Sequence, residues 1–328
     1  MDEMYRGKKI LIIGGTGTIG RHLTRSLLKV EPQVVRILSR DEHKQYEMNI
    51  EFANEATRLR FLIGDVRDRQ RLNRAMEDID YVFHLAAMKH VPSCEYNPFE
   101  AVQTNVIGTQ NVIQAAIENG VQKVLFTSTD KAISPTNTYG ATKLTAERLI
   151  SAAEYQKGSK STVFSSVRFG NVMGSRGSVI PLFTKQVCEG KEITITDPEM
   201  LRYMMTPSQA IELILEANRL AVGGEVFVLK MPVIRIGDLA EAIIELTAEK
   251  YALDYARGVR VIGLRPGEKR YEELMTVDEQ MIAKEAERMF IIPSLFREKA
   301  EQTLVALPDM KPIEKSQVKQ WLTEEDLI

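Results

Sequence analysis

The feature that most constrains the fold is a short apolar segment followed at once by a glycine-rich loop. Residues Lys8–Ile13 read KKILII, a continuous apolar run typical of a strand buried on both faces of a parallel sheet. The loop Gly14–Gly20 (GGTGTIG) satisfies both G-x-G-x-x-G and G-x-x-G-x-x-G, and a leucine-bearing helix is predicted after it. This order predicts a dinucleotide-binding unit, because glycines let a pyrophosphate approach the backbone and the helix amino terminus offers free N–H groups. The alternative is a glycine-rich turn that binds nothing.

Strands and helices alternate through the first half of the chain. Further apolar strands are predicted at Val34–Leu38, Leu59–Ile63, Tyr81–Leu85, Lys123–Phe126 and Thr162–Phe169, and helices at Glu42–Phe52 and Pro98–Asn119. This alternation predicts an α/β fold with a doubly wound parallel (Rossmann) sheet, which makes residues 1–170 an NAD(P)-binding domain. The less regular residues 171–328 are predicted to form a smaller C-terminal substrate-binding lobe, with some segments packing back on the first domain. Helices are predicted there at Pro207–Leu220 and Ile236–Leu246.

The residues after the second and third strands bear on the choice of cofactor. An acid at the end of the second strand usually accepts the ribose hydroxyls of NAD, whereas arginine accommodates the extra phosphate of NADP. Arg40 therefore favours NADP over NAD, and the adjacent Asp41 weakens that preference. A solvated residue at a helix start is the alternative for Arg40. Asp65, after the third strand, can reach an adenine amino group or can cap the next helix.

The segment 127–143 (TSTDKAISPTNTYGATK) contains the side chains that are the strongest candidates for catalysis. They are Thr129, Asp130, Lys131, Tyr139 and Lys143. If a helix opens at Asn137 or Thr138, Tyr139 and Lys143 share one helical face. A phenol acts as a base near pH 7 if its pKa falls from ~10 by about 3 units, roughly 4 kcal/mol, which neighbouring positive charges favour. An ordinary surface pair is the alternative, but the position after the fifth strand, where such sheets bind ligands, favours a function.

Composition excludes several classes of protein. The 328 residues carry a net charge of -2 without a basic run, so no nucleic-acid partner is expected. No stretch approaches the ~20 apolar residues of a membrane span, so no membrane partner is expected either. Two cysteines without a framework suit a cytoplasmic protein, and four histidines without ligand spacing predict no metal site. The methionines between 200 and 205 are expected in the core, and the tail after Pro308 is expected to be loosely held.

Several motifs together resemble a known family. GGTGTIG, YGATK and RFGNVMGSRGSVIP are similar to the extended short-chain dehydrogenase/reductases. SRDEHKQ, GDVRDR, AAMKHVP, STDKAISPTNTYGATK and LRPGEK resemble, more narrowly, the UDP-N-acetylglucosamine 4,6-dehydratases, over roughly Lys8 to Leu274. The resemblance implies a hydro-lyase that turns a UDP-sugar, UDP-N-acetylglucosamine, into a UDP-4-keto-6-deoxy sugar for bacterial surface or glycoconjugate biosynthesis. It also implies tightly bound, recycled NADP or NAD and a homo-oligomer, either a dimer or a hexamer.

The resemblance also implies a role for each side chain. Tyr139, helped by Lys143 and Thr129, would take the proton of the sugar 4-hydroxyl. Lys131, desolvated to a lower pKa, would remove the hydrogen on carbon 5, and a protonated Asp130 would protonate the departing 6-hydroxyl. The alternative for Asp130 and Lys131 is an adjacent surface pair in a loop.

Two sets of binding residues follow from the strand ends and the resemblance together. The cofactor set is Gly14, Thr16, Gly17, Thr18, Ile19, Gly20, Ser39, Arg40, Asp65, Val66, Ala86, Ala87, Lys89, Asn105, Tyr139 and Lys143. The substrate set is Lys89, Asn171, Ser178, Val179, Arg202, Arg265 and Glu268. Within the substrate set, the resemblance places Asn171 and both arginines on the diphosphate and Glu268 on the uridine ribose.

Two departures from the family leave the configuration at carbon 5 open. The soluble inverting branch usually has Thr-Arg-Phe-Trp where this chain has 201-LRYM-204, and the membrane-anchored retaining branch typically has Met in place of Tyr139. Other functions also remain open. A nucleotide-sugar epimerase or reductase would need the Tyr–Lys pair without Asp130 and Lys131, and a non-catalytic NADP-sensing regulator would not need that pair.

Overall fold

The computed structural model describes residues 3–255, 257–264, 267–294 and 304–328. The strands in chain order are β1 Lys9–Ile13, β2 Val34–Ser39, β3 Leu59–Ile63, β4 Tyr81–His84, β5 Lys123–Thr127, β6 Val163–Arg168, β7 Asn171–Val172, β8 Ile193–Ile195, β9 Leu201–Met205, β10 Val226–Leu229, β11 Val233–Arg235, β12 Val259–Val261, β13 Lys284–Glu285 and β14 Met289–Ile292.

The α-helices in chain order are α1 Thr18–Leu28, α2 Glu42–Glu51, α3 Arg69–Met76, α4 Val91–Tyr96, α5 Pro98–Ala101, α6 Gly108–Glu118, α7 Thr138–Gln156, α8 Val179–Cys188, α9 Pro207–Leu220, α10 Ile236–Lys250, α11 Val277–Ile282 and α12 Lys315–Glu324. A π-helical segment occupies Val102–Ile107, and short 3₁₀ turns lie at Glu3–Tyr5, Ala53–Glu55 and Asp130–Ala132.

A nine-stranded sheet organises the chain in the order β13-β14-β10-β6-β5-β4-β1-β2-β3. The seven strands from β10 to β3 are parallel, and β14 and β13 add antiparallel to one edge. The strand order reverses between β1 and β4, which is where doubly wound sheets bind ligands. The predicted parallel Rossmann sheet is therefore confirmed.

Strand β1 shows how the apolar sequence builds cores on both faces of this sheet. Ile10 and Ile12 belong to one buried cluster, whereas Leu11 and Ile13 belong to another. Successive side chains of a strand point to opposite faces, so a continuous apolar run serves both clusters.

Residues beyond 170 contribute to two parts of the fold. Strand β10 pairs with β6, and α9 packs against α1, so both join the main sheet layer. The sheets β11-β9-β7 and β12-β8 lie with α8, α10 and α12 around a third buried cluster, which forms the smaller lobe. No helix among the described residues is long and apolar enough to span a membrane.

Some predicted elements are confirmed and others need correction. The helix Pro207–Leu220 and the buried methionines Met200, Met204 and Met205 are as predicted. The helix predicted over Pro98–Asn119 is helical without a break from Pro98 to Glu118, but it contains a π-helical stretch at Val102–Ile107 that was not predicted.

The tail after Pro308 was expected to be loosely held, and this expectation is also wrong. Residues 315–324 form α12, whose Val318 and Leu322 are fully buried against the lobe that contains α10. Their spacing of four residues puts both side chains on one helical face, so burial of that face holds the helix in place.

Candidate active site

The glycine loop between β1 and α1 approaches neighbouring backbone too closely for side chains. Gly14 has a φ of +81°, and a Cβ there would lie 2.8 Å from the amide nitrogen of Ala86. A Cβ on Gly20 would lie 2.3 Å from the carbonyl oxygen of Gly15. Helix α1 begins directly after Gly17, so its first N–H groups face the loop side. Glycine at these positions forms a cradle that suits a pyrophosphate.

A cavity of about 640 Å³ lies over this loop at the carboxyl ends of the strands. It brings together most of the predicted cofactor residues, namely Gly14, Thr16, Gly17, Thr18, Ile19, Gly20, Ser39, Arg40, Asp65, Val66, Ala86, Ala87 and Lys89. Tyr139, Lys143 and Asn105 do not line it.

Asn105 does not line the cavity, and its side chain bonds the backbone of the loop that follows β4. Its Oδ1 accepts from the amide of Met88 at 2.8 Å, and its Nδ2 donates to the carbonyl of Met88 and to Thr142 Oγ1, both at 3.0 Å. The side chain is 1% exposed. These hydrogen bonds hold the loop after β4, and the contact of Asn105 with a cofactor stays a prediction.

The acids near Arg40 already have defined partners. Asp41 caps α2 by accepting from the amide of Lys44 at 3.0 Å. Asp65 accepts from the guanidinium of Arg67 at 2.9 Å and lies 3.6 Å from Nη1 of Arg40. Asp65 does not cap a helix, because Asp68 caps α3. Arg40 keeps an exposed side chain at the cavity wall.

Arg176 connects the second half of the chain to the glycine loop. Its Nη2 donates to the carbonyl of Thr16 at 2.5 Å, and its amide donates to Thr18 Oγ1 at 3.3 Å. Burial lowers the pKa of Lys89, and the positive charge of Arg176 adds to this shift. Sequence reasoning missed this residue although it lies within GNVMGSRGSVIP, because nothing local indicates that the loop after β7 reaches the loop after β1.

Residues 129–132 place an acid and an amine at the end of β5. Thr129 caps the 3₁₀ turn, and its Oγ1 donates to Oδ1 of Asp130 at 3.0 Å. Asp130 is 2% exposed, so the alternative of a surface pair is wrong. Burial raises the pKa of Asp130 to about 7, with Glu272 adding to the effect and Lys131 opposing it. Within the described residues, Oδ2 of Asp130 has no hydrogen-bond partner, and Asp130 lines a cavity.

Lys131 is held between two carboxylates. Its Nζ lies 3.1 Å from Oδ1 of Asp130 and 2.8 Å from Oε1 of Glu272. Burial alone would lower the pKa of Lys131, but these carboxylates outweigh burial and raise it. The expectation of a lowered Lys131 pKa is therefore wrong for the protein by itself. Sequence reasoning missed Glu272, which lies in a distant loop without a motif that singles it out.

Helix α7 opens as predicted and carries the Tyr–Lys pair. Asn137 caps it by accepting from the amide of Gly140 at 2.8 Å. Burial raises the pKa of Tyr139 to about 12, although an interaction with the Thr129 hydroxyl opposes the rise. In the protein by itself burial outweighs the neighbouring positive charges, and a Tyr139 pKa near 7 stays a prediction for the site with its cofactor bound.

Lys143 is the second member of that pair, and it is 3% exposed. Its Nζ donates to the carbonyl of Thr127 at 2.5 Å and lies 3.8 Å from the ring centroid of Phe126. Burial lowers the pKa of Lys143 to about 7, with Glu147 opposing the shift. Lys143 can therefore gain or lose a proton near neutral pH.

A second cavity of about 340 Å³ holds the predicted substrate residues. Those that line it are Lys89, Asn171, Ser178, Val179, Arg202 and Glu268, together with Asp130, Lys131 and Glu272. Arg265, also predicted, lies outside the described residues. Lys89 and Ser175 line both cavities, so the two cavities adjoin.

Arg202 is 7% exposed, so its guanidinium is buried and does not form a surface ion pair. It donates to the carbonyls of Lys269 at 2.8 Å and Arg270 at 3.1 Å. It also lies 3.6 Å from Glu268 and 3.5 Å from Glu272. These contacts hold its guanidinium at the wall of the second cavity.

Comparison with known proteins identifies the family of this chain. Residues 10–294 match the family described as polysaccharide biosynthesis protein. The chain belongs to this family. The resemblance to extended short-chain dehydrogenase/reductases of the UDP-N-acetylglucosamine 4,6-dehydratase family is thereby confirmed.

Individual members of the family carry different names. A UDP-N-acetylglucosamine 4,6-dehydratase (inverting) of Campylobacter jejuni is 45% identical over 89% of this chain and 85% of its own. A UDP-glucose 4-epimerase of Rickettsia prowazekii is 42% identical over 88% of this chain and 84% of its own. A Methanocaldococcus jannaschii protein named as an uncharacterized membrane protein is 46% identical over 99% of this chain and 98% of its own.

A solved structure also matches along nearly the whole chain. Pen from Bacillus thuringiensis is 54% identical and superposes with a TM-score of 0.93, covering 99% of each chain. The fold is therefore shared from end to end with this solved structure.

Proposed function

We propose that this protein is a UDP-N-acetylglucosamine 4,6-dehydratase that releases water and leaves a UDP-4-keto-6-deoxy sugar. The observation that carries the proposal is the buried acid–amine pair of Asp130 and Lys131 at the wall of the second cavity. Elimination of water needs one group that takes a proton and one that gives a proton, and these two side chains supply both. An epimerase has no need of such a pair.

The cofactor that this proposal needs is NADP, held over the glycine cradle. A bound nicotinamide would accept a hydride from carbon 4 of the sugar and return one to carbon 6. Arg40 suits the extra phosphate of NADP, and Asp41 is engaged as a helix cap, so it does not present a free acid to a ribose. The fit of the cradle rests on Gly14 and Gly20, where any side chain would collide with backbone.

Oxidation at carbon 4 releases the proton of the hydroxyl there. Tyr139 takes this proton once it is a phenolate, a form that the positive charge of a bound oxidised nicotinamide favours. The phenol interacts with Thr129, and Thr129 in turn donates to Asp130 at 3.0 Å. The proton can therefore pass through these hydroxyls to the Asp130 carboxylate, once Asp130 has given its own proton to the leaving 6-hydroxyl.

Elimination follows at carbons 5 and 6. The 4-ketone acidifies the hydrogen on carbon 5, which Lys131 removes as an amine. Asp130, whose pKa lies at about 7, gives its proton to the leaving 6-hydroxyl, so that water departs. Lys131 then returns a proton to carbon 5, and Asp130 is protonated again through Thr129. The proton count closes with one water released per sugar.

Binding of the UDP group is assigned to the second cavity. Arg202 and Asn171 would bind the diphosphate, together with Arg265, because a planar guanidinium bonds two phosphate oxygens at once. Glu268 would accept from the uridine ribose. In this division residues 1–170 hold the cofactor and residues 171–328 the UDP group, while Lys89, Asp130 and Lys131 of the first domain also line the second cavity. Arg176 would be an exception, because it reaches back to the glycine loop.

The assembly and location of the protein follow from the same family resemblance. A homo-oligomer, either a dimer or a hexamer, in the cytoplasm is the expected state. Light scattering on the purified protein would measure the molar mass, and a mass equal to that of one chain would contradict this part of the proposal.

The decisive experiment is incubation with UDP-N-acetylglucosamine in deuterated water without added reductant. A product lighter by one water, with deuterium at carbon 5, is expected by mass spectrometry and proton NMR. An isomer of unchanged mass would instead identify a 4-epimerase, which a relative of that name favours as the second candidate. A sugar left chemically untouched would favour a nicotinamide-sensing regulator.

A further inference from the structure

Glu272 lies at the junction of the two halves of the proposed site. It is 5% exposed and lines the second cavity. Its carboxylate lies 2.8 Å from Lys131 Nζ, 3.5 Å from Arg202 Nε and 3.4 Å from Asn171 Nδ2. One carboxylate therefore touches the amine assigned to carbon 5 and two groups assigned to the diphosphate.

We propose that Glu272 is a positioning residue that takes the extra proton of Lys131, and that diphosphate binding through Arg202 and Asn171 sets when it does so. This inference rests on the proposed function and adds a residue that controls the base.

The need for such a residue follows from the charge on Lys131. An ammonium cannot remove a proton from carbon 5, and the two carboxylates beside Lys131 raise its pKa. The proton on Lys131 must therefore move to a neighbour before the elimination. Asp130 cannot accept it, since that acid must stay protonated to release water. Glu272 is the carboxylate at hydrogen-bonding distance that remains.

Substrate binding supplies the trigger. A diphosphate carries more negative charge than a carboxylate and matches the guanidinium fork, so it competes with Glu272 for Arg202. Burial would raise the pKa of Glu272, but the charge of Lys131, a hydrogen bond with Asp130 and the charge of Arg202, in that order, lower it. When Arg202 and Asn171 turn to phosphate oxygens, Glu272 loses two partners and its proton affinity rises.

The step balances without any further reactant. The N–H bond of the Lys131 ammonium breaks and an O–H bond forms on Glu272, which leaves an amine and a carboxylic acid. The amine takes the hydrogen of carbon 5 as a proton and later returns it to that carbon. The acid then gives its proton back to Lys131 when the product leaves. No electrons are exchanged in these steps.

The experiment compares Glu272→Gln with Glu273→Gln, an exposed neighbour that serves as the matched control. The glutamine keeps the size and the hydrogen bonds of residue 272 but cannot accept a proton. We expect kcat for dehydration of UDP-N-acetylglucosamine to fall about 100-fold in Glu272→Gln, in the range of a lost general acid–base group. KM is expected to change less than about threefold, and the control is expected to match wild type.

A rapid-mixing measurement separates this role from a merely structural one. Reduced nicotinamide, followed at its absorbance band, should still form at the wild-type rate in Glu272→Gln, because oxidation at carbon 4 uses Tyr139. Deuterium uptake at carbon 5 should fall with kcat. An equal loss of nicotinamide reduction and of deuterium uptake at carbon 5 would overturn the inference. So would a kcat within threefold of wild type.

Two further outcomes keep the inference testable. Should the glutamine variant fail to fold, Glu272→Asp retains the carboxylate, and its uptake of deuterium at carbon 5 should respond to pH as in wild type. If deuterium uptake at carbon 5 in Glu272→Asp does not follow the pH dependence of wild type, the inference is overturned. A wild-type enzyme that removes no water from the sugar would instead reject the proposed function.

Discussion

Arg168 of β6 and Glu147 of α7 form an ion pair in which both side chains are fully buried. Nη2 of Arg168 lies 2.6 Å from Oε1 of Glu147, and its Nε lies 3.2 Å from Oε2. The same guanidinium donates to Glu279 of α11 at 2.9 Å and 3.0 Å. Glu147 lies one helical turn after Lys143, so this pair ties the helix with the Tyr–Lys pair to the central sheet.

Replacing Arg168 by methionine is expected to lower the free energy of unfolding by about 3–5 kcal/mol, because two buried carboxylates lose their partner. Denaturant titration followed by circular dichroism measures this change. The comparison is Arg148→Met on α7, whose half-exposed side chain lies 3.7 Å from Glu279 at the edge of the same cluster and is expected to contribute less. A loss below about 1 kcal/mol at residue 168 would contradict the stabilising role of the buried cluster.

Tyr139→Phe is expected to lower kcat by about 10²–10⁴-fold, because it removes the group that takes the proton of the 4-hydroxyl. Neither reduced nicotinamide nor deuterium at carbon 5 should appear, since both depend on oxidation at carbon 4. Tyr155→Phe, near the other end of α7, is the matched control. Retained dehydration in the Tyr139 variant would rule out this assignment.

Arg40→Ala is expected to weaken NADP binding by about 10–100-fold and to leave NAD binding unchanged, since a hydrogen bond to a charged group contributes about 1.5–3 kcal/mol. Calorimetric titration of the cofactor-free protein measures both affinities. Arg74→Ala, on the exposed face of α3, is the control. Equal losses for both cofactors would contradict a contact with the extra phosphate.

The rate of water release should fall as the pH rises through about 7, the pKa of Asp130, because only the protonated acid can serve the leaving hydroxyl. The protonated fraction is nearly complete below pH 6 and falls tenfold per unit above the pKa. Single-turnover water release measured from pH 5.5 to 9 tests this. In Asp130→Asn the remaining slow rate should lose this dependence, and an unchanged profile would point to another acid.

Local patterns predicted much of the fold and part of the site. The apolar runs of β1 to β6 and the glycine loop each follow from residues close together in sequence, so the parallel sheet was predictable. Asn137 likewise indicated the start of α7. The π-helical segment was not predicted; its Asn105 contacts Met88 in the loop after β4, and such a contact between distant segments is not encoded locally.

The sequence by itself determined which chemical groups this protein has and, through the parallel sheet, the edge at which Thr129, Asp130 and Tyr139 collect. Only the tertiary structure decided the charge on each group. Glu272 reaches Lys131 from a distant loop, and Arg176 reaches Thr16 in the same way. Burial and charges a few ångströms away set a pKa, and both arise when distant segments pack together, so no local pattern encodes them.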